Sequence, residues 1–287
     1  MPDYRSDARR PLDVRGLLLF GSGAGLLSWL LEIFGEHHLG NAQALGMLGV
    51  SLALLGGYAW HAFRVPFPLL QLALFRTRTF RIGVLGGFVT RLGVGGMPFL
   101  LPLLYQLGLG MPAWQSGLLM MPAAAAAMGM KVISTVVLRR YGYRQVLVVN
   151  TVMVACTIAG YALIGPGAAI ASIVALGLLM GLFNSLQFSS MNSMAYADIS
   201  EQDAAMASTM ASTMQQMSLS FGLACGSLVT AYYLAGLPQH EPLAVTGALH
   251  HAFLTLAALT LVSSLAFWAL RPDDGESVSK GRENLAN

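Results

Sequence analysis

Long apolar stretches alternate with short polar ones from one end of the chain to the other. The apolar stretches lie at residues 16–33, 45–63, 80–107, 114–138, 145–164, 168–189, 207–234 and 249–270. Each comes close to the length of about 20 residues with which a helix crosses the hydrocarbon core of a bilayer. None has the alternation of a strand, and lipid tolerates no unpaired backbone groups. The pattern therefore predicts an all-α, polytopic transmembrane helix bundle of about eight spans.

Composition excludes the other protein classes. Only 10% of the 287 residues are charged and 55% are hydrophobic, whereas a soluble domain carries about a quarter charged residues. A disordered chain would combine low hydrophobicity with high charge. The net charge of +3 is not clustered on a soluble face, so we expect the lipid bilayer as a partner and no nucleic acid.

The basic residues predict how the spans are oriented. Apart from those inside spans, Lys and Arg occur before the first span, between the second and third, between the fourth and fifth, and after the eighth. The alternate connections contain none, and this asymmetry is typical of a chain with both termini in the cytoplasm. The expected organisation is a cytoplasmic segment at 1–15, two linker-type spans at 16–63, a cytoplasmic amphipathic connector at 64–79, a six-helix half at 80–270 and a cytoplasmic tail at 271–287.

The sequence lacks the residue patterns for phosphate binding, metal binding and catalysis. No phosphate-binding loop occurs, and Lys131 and Lys280 are the only lysines. Histidine, cysteine and carboxylate residues do not occur at metal-ligand spacing. No nucleophile, base and orienting group can be assembled. We therefore expect neither an enzyme nor a bound metal or cofactor.

Arg91 is the most unusual residue of the spans. It follows Arg81 by ten residues, which places it about 15 Å into a core of about 30 Å. It shares a helix face with Gly83, Gly87 and Gly95, which suits close packing or the wall of a passage. Arg91 is either a structural cation held by a neighbouring helix or a residue for substrate binding or proton coupling.

Four further polar residues are candidates for a substrate or coupling site. Glu32 is the only carboxylate in a span and either reaches the interface or carries a proton. Asn184 and Gln187 stand one turn apart in the sixth span, and Gln216 belongs to a polar stripe of the seventh. Such residues join helices as often as they line cavities, so both alternatives stay open for them.

Several short motifs occur in the order in which one transporter family has them. They are LFRTRTF at 74–80, LPLLYQLGLG at 101–110, QSGLLMMP at 115–122 and RYGYR at 140–144. Together with the stretch 206–224, they resemble the later part of the fourteen-span drug:proton antiporters of the major facilitator superfamily (EmrB/QacA type). The segments FRTRTF at 75–80, MGMK at 128–131 and SSMN at 189–192 resemble the MdtD-type multidrug transporter subgroup.

The resemblance implies a place for every predicted span. The first two would be the family's central inserted pair, and the last six its C-terminal half, folded as two inverted three-helix repeats. The six N-terminal spans are missing, so the chain resembles the C-terminal eight spans of a transporter of the bacterial inner membrane. In the family's cytoplasmic loop signature only Arg140, Gly142 and Arg144 match, since Arg139 stands where the family has Asp.

Two functions follow as hypotheses. The first is proton-coupled export of drugs or other small amphipathic molecules, with protons and a missing six-helix half, or a second copy of the chain, as partners. Arg91, Asn184, Gln187 and Gln216 would then line the interface between the halves. The second is a half-transporter that does not transport, and that is inert or pairs with another half as a membrane scaffold.

Overall fold

The protein is helical wherever its structure is described. The computed structural model describes residues 13–35, 41–66, 68–236, 242–271 and 274–275, with backbone but no side chains at 31–35, 41 and 242. The helices are α1 (Val14–Gly35), α2 (Asn41–Ala62), α3 (Arg78–Val94), α4 (Met97–Leu103), α5 (Ala113–Tyr141), α6 (Tyr143–Gly160), α7 (Ile170–Ala195), α8 (Ala204–Leu234) and α9 (Pro242–Trp268). Within the described ranges no strand occurs, and the all-α prediction is confirmed.

The membrane-spanning character is also confirmed. In the described part of the chain, seven helical stretches are long and apolar enough to cross a membrane. The remaining predicted span is α1, a helix of 22 residues. Its part with described side chains, Val14–Leu30, is apolar but shorter than the other seven. The chain is therefore a multi-pass membrane protein.

Helix boundaries differ from the predicted spans where local chemistry moves them. α9 begins at Pro242, well before residue 249, because proline suits a first helical turn, where its missing N–H is not needed. The third span runs from Arg78 to Gly108 and is interrupted at Gly95 and Gly96, between α3 and α4. Pro102 lies inside α4, and a π-helical turn follows at Leu104–Gly108.

The chain divides into two compact units, Met1–Leu74 and Phe75–Asn287. In the first, α1 packs against α2, and the buried hydroxyl of Ser51 donates a hydrogen bond of 2.8 Å to the Gly23 carbonyl oxygen. The unit boundary lies within the connector predicted at 64–79. That connector contains a 3-10 helix, Leu72–Arg76, with Leu74 buried. Its place at the membrane surface stays a prediction.

A polar cluster lies at the start of α1. The Asp13 carboxylate accepts hydrogen bonds from His61 Nε2 at 2.8 Å and from the backbone N–H groups of Gly16 at 2.8 Å and Leu69 at 3.2 Å. Burial raises the pKa of Asp13, but these three hydrogen bonds outweigh it and hold the pKa below its ordinary value. The ionised carboxylate thus ties the start of α1 to the end of α2.

In the second unit α3 is the central helix. It contacts α7, α8 and α9, while α5 packs on α7, and α6 packs on α7 and α9. Glycines bring α3 and its neighbours to backbone contact. A Cβ atom at Gly222 of α8 would lie 2.2 Å from the Arg91 carbonyl oxygen, and one at Gly83 would lie 3.1 Å from Ala195 Cα of α7. This close packing fixes the depth and the surroundings of the polar residues on α3.

Candidate functional site

Arg91 lies on α3 where that helix faces α7. Its side chain is buried, with 5% of the residue exposed, and the guanidinium carbon lies 5.0 Å from the centre of the Phe188 ring. Gly87 provides the space, because a Cβ atom there would lie 2.8 Å from Arg91 Nη1 and 3.3 Å from Met191 Sδ. The cation is thus held between a glycine on its own helix and an aromatic face on α7.

No carboxylate balances this cation in the described part of the chain. Arg91 forms neither an ion pair nor a side-chain hydrogen bond there. The carboxylates with described side chains all lie outside the membrane-length helices; they are Asp13, Asp198, Glu201, Asp203 and Asp274. A buried charge costs several kcal/mol when it lacks a partner, so Arg91 stays a candidate for contact with an anionic or polar group.

Asn184 lies on α7 one helical turn before Phe188, so the two residues share a face of that helix. Its Oδ1 is buried and accepts no hydrogen bond from the described residues. Orphaned buried acceptors are rare in folded proteins. Asn184 thus has a buried acceptor without a donor among the described residues, one helical turn from the ring that Arg91 contacts.

Gln187, one turn after Asn184, contacts α6. It is completely buried; its Oε1 accepts a hydrogen bond of 2.8 Å from Asn150 Nδ2, and its Nε2 donates one of 2.8 Å to Thr151 Oγ1. Asn150 Nδ2 also donates to the Phe183 carbonyl oxygen at 2.8 Å. Gln187 thus joins α7 to α6 with both ends of its amide engaged.

Gln216 lies on the outer surface of the second unit. It is exposed, and so are the three serines of its stripe on α8, Ser208, Ser212 and Ser220. In a membrane, a polar stripe of this length avoids contact with lipid chains. This face of α8 therefore suits a water-filled cavity or contact with further protein.

The loop motif lies at the sharp turn between α5 and α6. Gly142 has φ +73° and ψ 161°, a conformation that residues with a Cβ rarely adopt. Arg140 is exposed and lies 5.8 Å from the Tyr141 ring centre, whereas Arg144 is half-buried in the first turn of α6. The backbone conformation at this turn thus explains why the motif has a glycine. The side chains of its two arginines form no ion pair with a described carboxylate.

The remaining candidate, Glu32, belongs to α1, but its side chain lies outside the described residues. Among the side chains that are described, no group of three or more His, Cys, Asp or Glu residues could hold a metal ion.

The structure thus places Arg91 against Phe188 of α7, engages the Gln187 amide with α6 and leaves Gln216 exposed. Asn184 lies one helical turn before Phe188. Sequence reasoning missed Phe188 and Met191, which face Arg91. Their spacing offered a signal, because Asn184, Phe188 and Met191 follow one another at i, i+4 and i+7.

A family model and individual relatives among known proteins point to the same family. Residues 15–223 match the family model described as Major Facilitator Superfamily. The chain is 31% identical over 271 residues to MdtD of Serratia proteamaculans, named provisionally as a multidrug resistance protein, with 93% of this chain and 56% of that protein covered. It is 34% identical over 294 residues to MdtD of Klebsiella pneumoniae, named in the same way, with 99% and 60% covered.

A relative with another name supports the same family. The chain is 30% identical over 269 residues to a Haemophilus influenzae protein named provisionally as transport protein HsrA, with 94% of this chain and 58% of that protein covered. The chain spans less than two thirds of the length of these relatives. The family model covers most of the chain, and the helical bundle agrees with it. The resemblance seen in the sequence is confirmed: this chain belongs to the Major Facilitator Superfamily.

Proposed function

We propose that this chain acts as the C-terminal part of a bacterial inner-membrane transporter that exports drugs or other small amphipathic molecules in exchange for protons. The names of the MdtD and HsrA relatives support transport and multidrug resistance. The share of those relatives that the chain spans leaves room for a further set of helices. A six-helix half, or a second copy of the chain, would supply it.

The exposed polar stripe of α8 is the observation that carries this proposal. Ser208, Ser212, Gln216 and Ser220 line one exposed side of a helix of 31 residues. Lipid chains would leave these groups without hydrogen-bond partners. An opposing half would cover the stripe and enclose a polar passage, and substrates of paired-repeat transporters bind near the midplane of such an interface.

Arg91 and Asn184 would supply this half's polar contacts to the transported species. The guanidinium lacks a carboxylate among the described residues, and the Asn184 acceptor lacks a donor. We propose that the opposing half places a titratable carboxylate opposite Arg91. Protonation of that carboxylate would weaken its attraction to Arg91, which links proton transfer to rearrangement of the site.

A transport assay tests the role of Arg91. The chain is expressed with the first six-span half of an MdtD relative. Ethidium uptake into inverted vesicles, which corresponds to efflux from the cell, is followed under an imposed pH gradient. We expect Arg91→Ala to reduce efflux at least about tenfold, the size expected from one lost charged interaction of about 1.4 kcal/mol or more. Arg91→Lys should retain part of the activity, because the charge remains.

Arg139→Ala is the matched control, because Arg139 is an exposed cation at the end of α5, outside the spans' interior. It should export at the wild-type rate, and an immunoblot must show equal amounts of all variants. Efflux by Arg91→Ala at the wild-type rate would refute the assigned role. Efflux that survives collapse of the pH gradient would refute proton coupling.

Cross-linking separates the exporter from the scaffold alternative. With Cys156 and Cys225 replaced by Ala, Ser212→Cys should cross-link to the opposing half, whereas Leu163→Cys, also exposed, should not. If the halves cross-link but no combination exports ethidium or another amphipathic probe, the non-transporting scaffold is the better account. If Ser212→Cys meets no protein in the membrane, pairing through α8 is wrong.

A further inference from the structure

Two adjoining cavities open on the outside of the second unit, next to the arginine-rich turn between α5 and α6. The first has a volume of about 390 Å³, and its polar lining includes Arg144, Gln145 and Trp268. The second, of about 370 Å³, is mainly apolar and includes Met153. Tyr141, Gln145 and Val149 line both, so the two cavities lie side by side along α6, and we name them together the α6 cleft.

The α6 cleft has the depth of one bilayer leaflet. α6 begins at Tyr143, and the cleft extends along it to Met153, a rise of about 15 Å. Half of a hydrocarbon core of about 30 Å has the same depth. Val149 and Met153 are 49% and 44% exposed, so the wall of the cleft is open to the surrounding lipid. An acyl chain that enters at the arginine-rich end therefore finds an apolar surface of matching length.

The mouth of the cleft has the chemistry of a lipid headgroup site. Trp268 is 65% exposed and lies at the end of α9, where aromatic residues favour the membrane interface. Arg144 is half-buried and pairs with no carboxylate in the part of the chain that is described. The one described carboxylate at the end of α9, Asp274, already accepts hydrogen bonds from the Arg78 guanidinium and from the backbone N–H of Arg271.

We propose that the α6 cleft binds an anionic phospholipid from the leaflet beside the arginine-rich turn. Its phosphate contacts Arg144 and Gln145, its glycerol region lies against Trp268, and one acyl chain follows Val149 and Met153. A zwitterionic phosphatidylethanolamine carries its own ammonium group and complements Arg144 less well than phosphatidylglycerol does. This proposal concerns the lipid-facing side of the unit and stands independently of the transport proposal.

Fluorescence quenching by brominated lipids tests it. The intact chain, with Trp29, Trp60 and Trp114 replaced by Phe so that Trp268 alone reports, is reconstituted into phosphatidylcholine vesicles. Brominated phosphatidylglycerol or brominated phosphatidylethanolamine is then titrated in. We expect phosphatidylglycerol to reach half-maximal quenching at a mole fraction about fivefold lower, the preference that one cation near the membrane surface confers.

Charge variants separate the site from general attraction. In the Trp268 reporter, Arg144→Ala should abolish the preference, Arg144→Lys should keep most of it, and Arg139→Ala, whose residue lines neither cavity, should keep all of it. Circular dichroism must show equal helix content.

A second reporter retains Trp114 alone, which is 68% exposed at the other end of α5, and it should show no preference. Equal preference at Trp114 and Trp268, or an Arg139→Ala effect as large as that of Arg144→Ala, would overturn the proposal. A Trp268 that neither lipid quenches would mean that protein covers the cleft, which also overturns it.

Discussion

The amide of Gln187 joins α6 and α7, and its removal should cost stability. Gln187→Leu keeps the size of the side chain and removes its two interhelical hydrogen bonds, one from Asn150 and one to Thr151. The Asn150 amide still donates to the Phe183 carbonyl oxygen, and the Thr151 hydroxyl still donates to that of Leu147. The variant leaves one of the two Asn150 Nδ2–H groups without an acceptor, whereas the Thr151 hydroxyl keeps the bond that it donates.

The number of lost hydrogen bonds sets the size of the expected stability loss. Interhelical hydrogen bonds in membranes contribute about 0.6 kcal/mol each on average, so Gln187→Leu should lower the free energy of unfolding by about 1 kcal/mol. Asn150→Leu should cost more, about 2 kcal/mol, because it also leaves the buried Gln187 Oε1 without a donor. The double variant should cost about 1 kcal/mol less than the sum, because the two residues share one bond.

Reversible unfolding in mixed micelles of dodecyl sulfate and a mild detergent measures these free energies. Asn192→Leu is the matched control, since Asn192 is an exposed amide on the same helix and should change stability by less than about 0.5 kcal/mol. Strict additivity of Gln187→Leu and Asn150→Leu would refute the coupling. A Gln187→Leu variant of unchanged stability would refute the bridging role of the amide.

Two further perturbations follow from the packing and from the polar cluster of the first unit. Gly226→Ala should lower the free energy of unfolding by about 1–3 kcal/mol, because the new Cβ atom would lie 2.6 Å from Gly96 Cα. Gly129→Ala is the control. A Cβ atom at Gly129 has nothing within 4 Å, so this variant should not lower the free energy of unfolding in the same assay. Although burial raises the pKa of Asp13, hydrogen bonds including that of His61 lower it overall, so the ionised carboxylate stabilises the fold above its unfolded pKa of about 3.9. The stability advantage of wild type over Asp13→Asn should therefore shrink as the pH falls below about 4 and through the lower folded pKa. A difference that grows as the pH falls below about 4 would contradict this.

The sequence by itself determined the fold class and most of the spans. The length of each apolar run is enough to predict a membrane-spanning helix, because a bilayer of fixed thickness and without water admits little else. The resemblance placed Gly142 in a loop motif, and the structure adds its positive φ at the turn between α5 and α6. The family could also be identified from the sequence, because its motifs are short runs of consecutive residues. Orientation and the linker role of α1 and α2 stay predictions.

Only the tertiary structure decided which polar residues share a site. Asn184 and Gln187 lie three residues apart on a helix that is apolar nearly all round, so no amphipathic pattern indicates which side meets α3 and which meets α6. The structure bonds Gln187 to Asn150 and Thr151 of α6, whereas the Asn184 acceptor has no donor among the described residues. It likewise leaves Gln216 on the surface. In a membrane span the hydrophobic pattern reports contact with lipid, whereas the partner of each polar group depends on which helix packs against it.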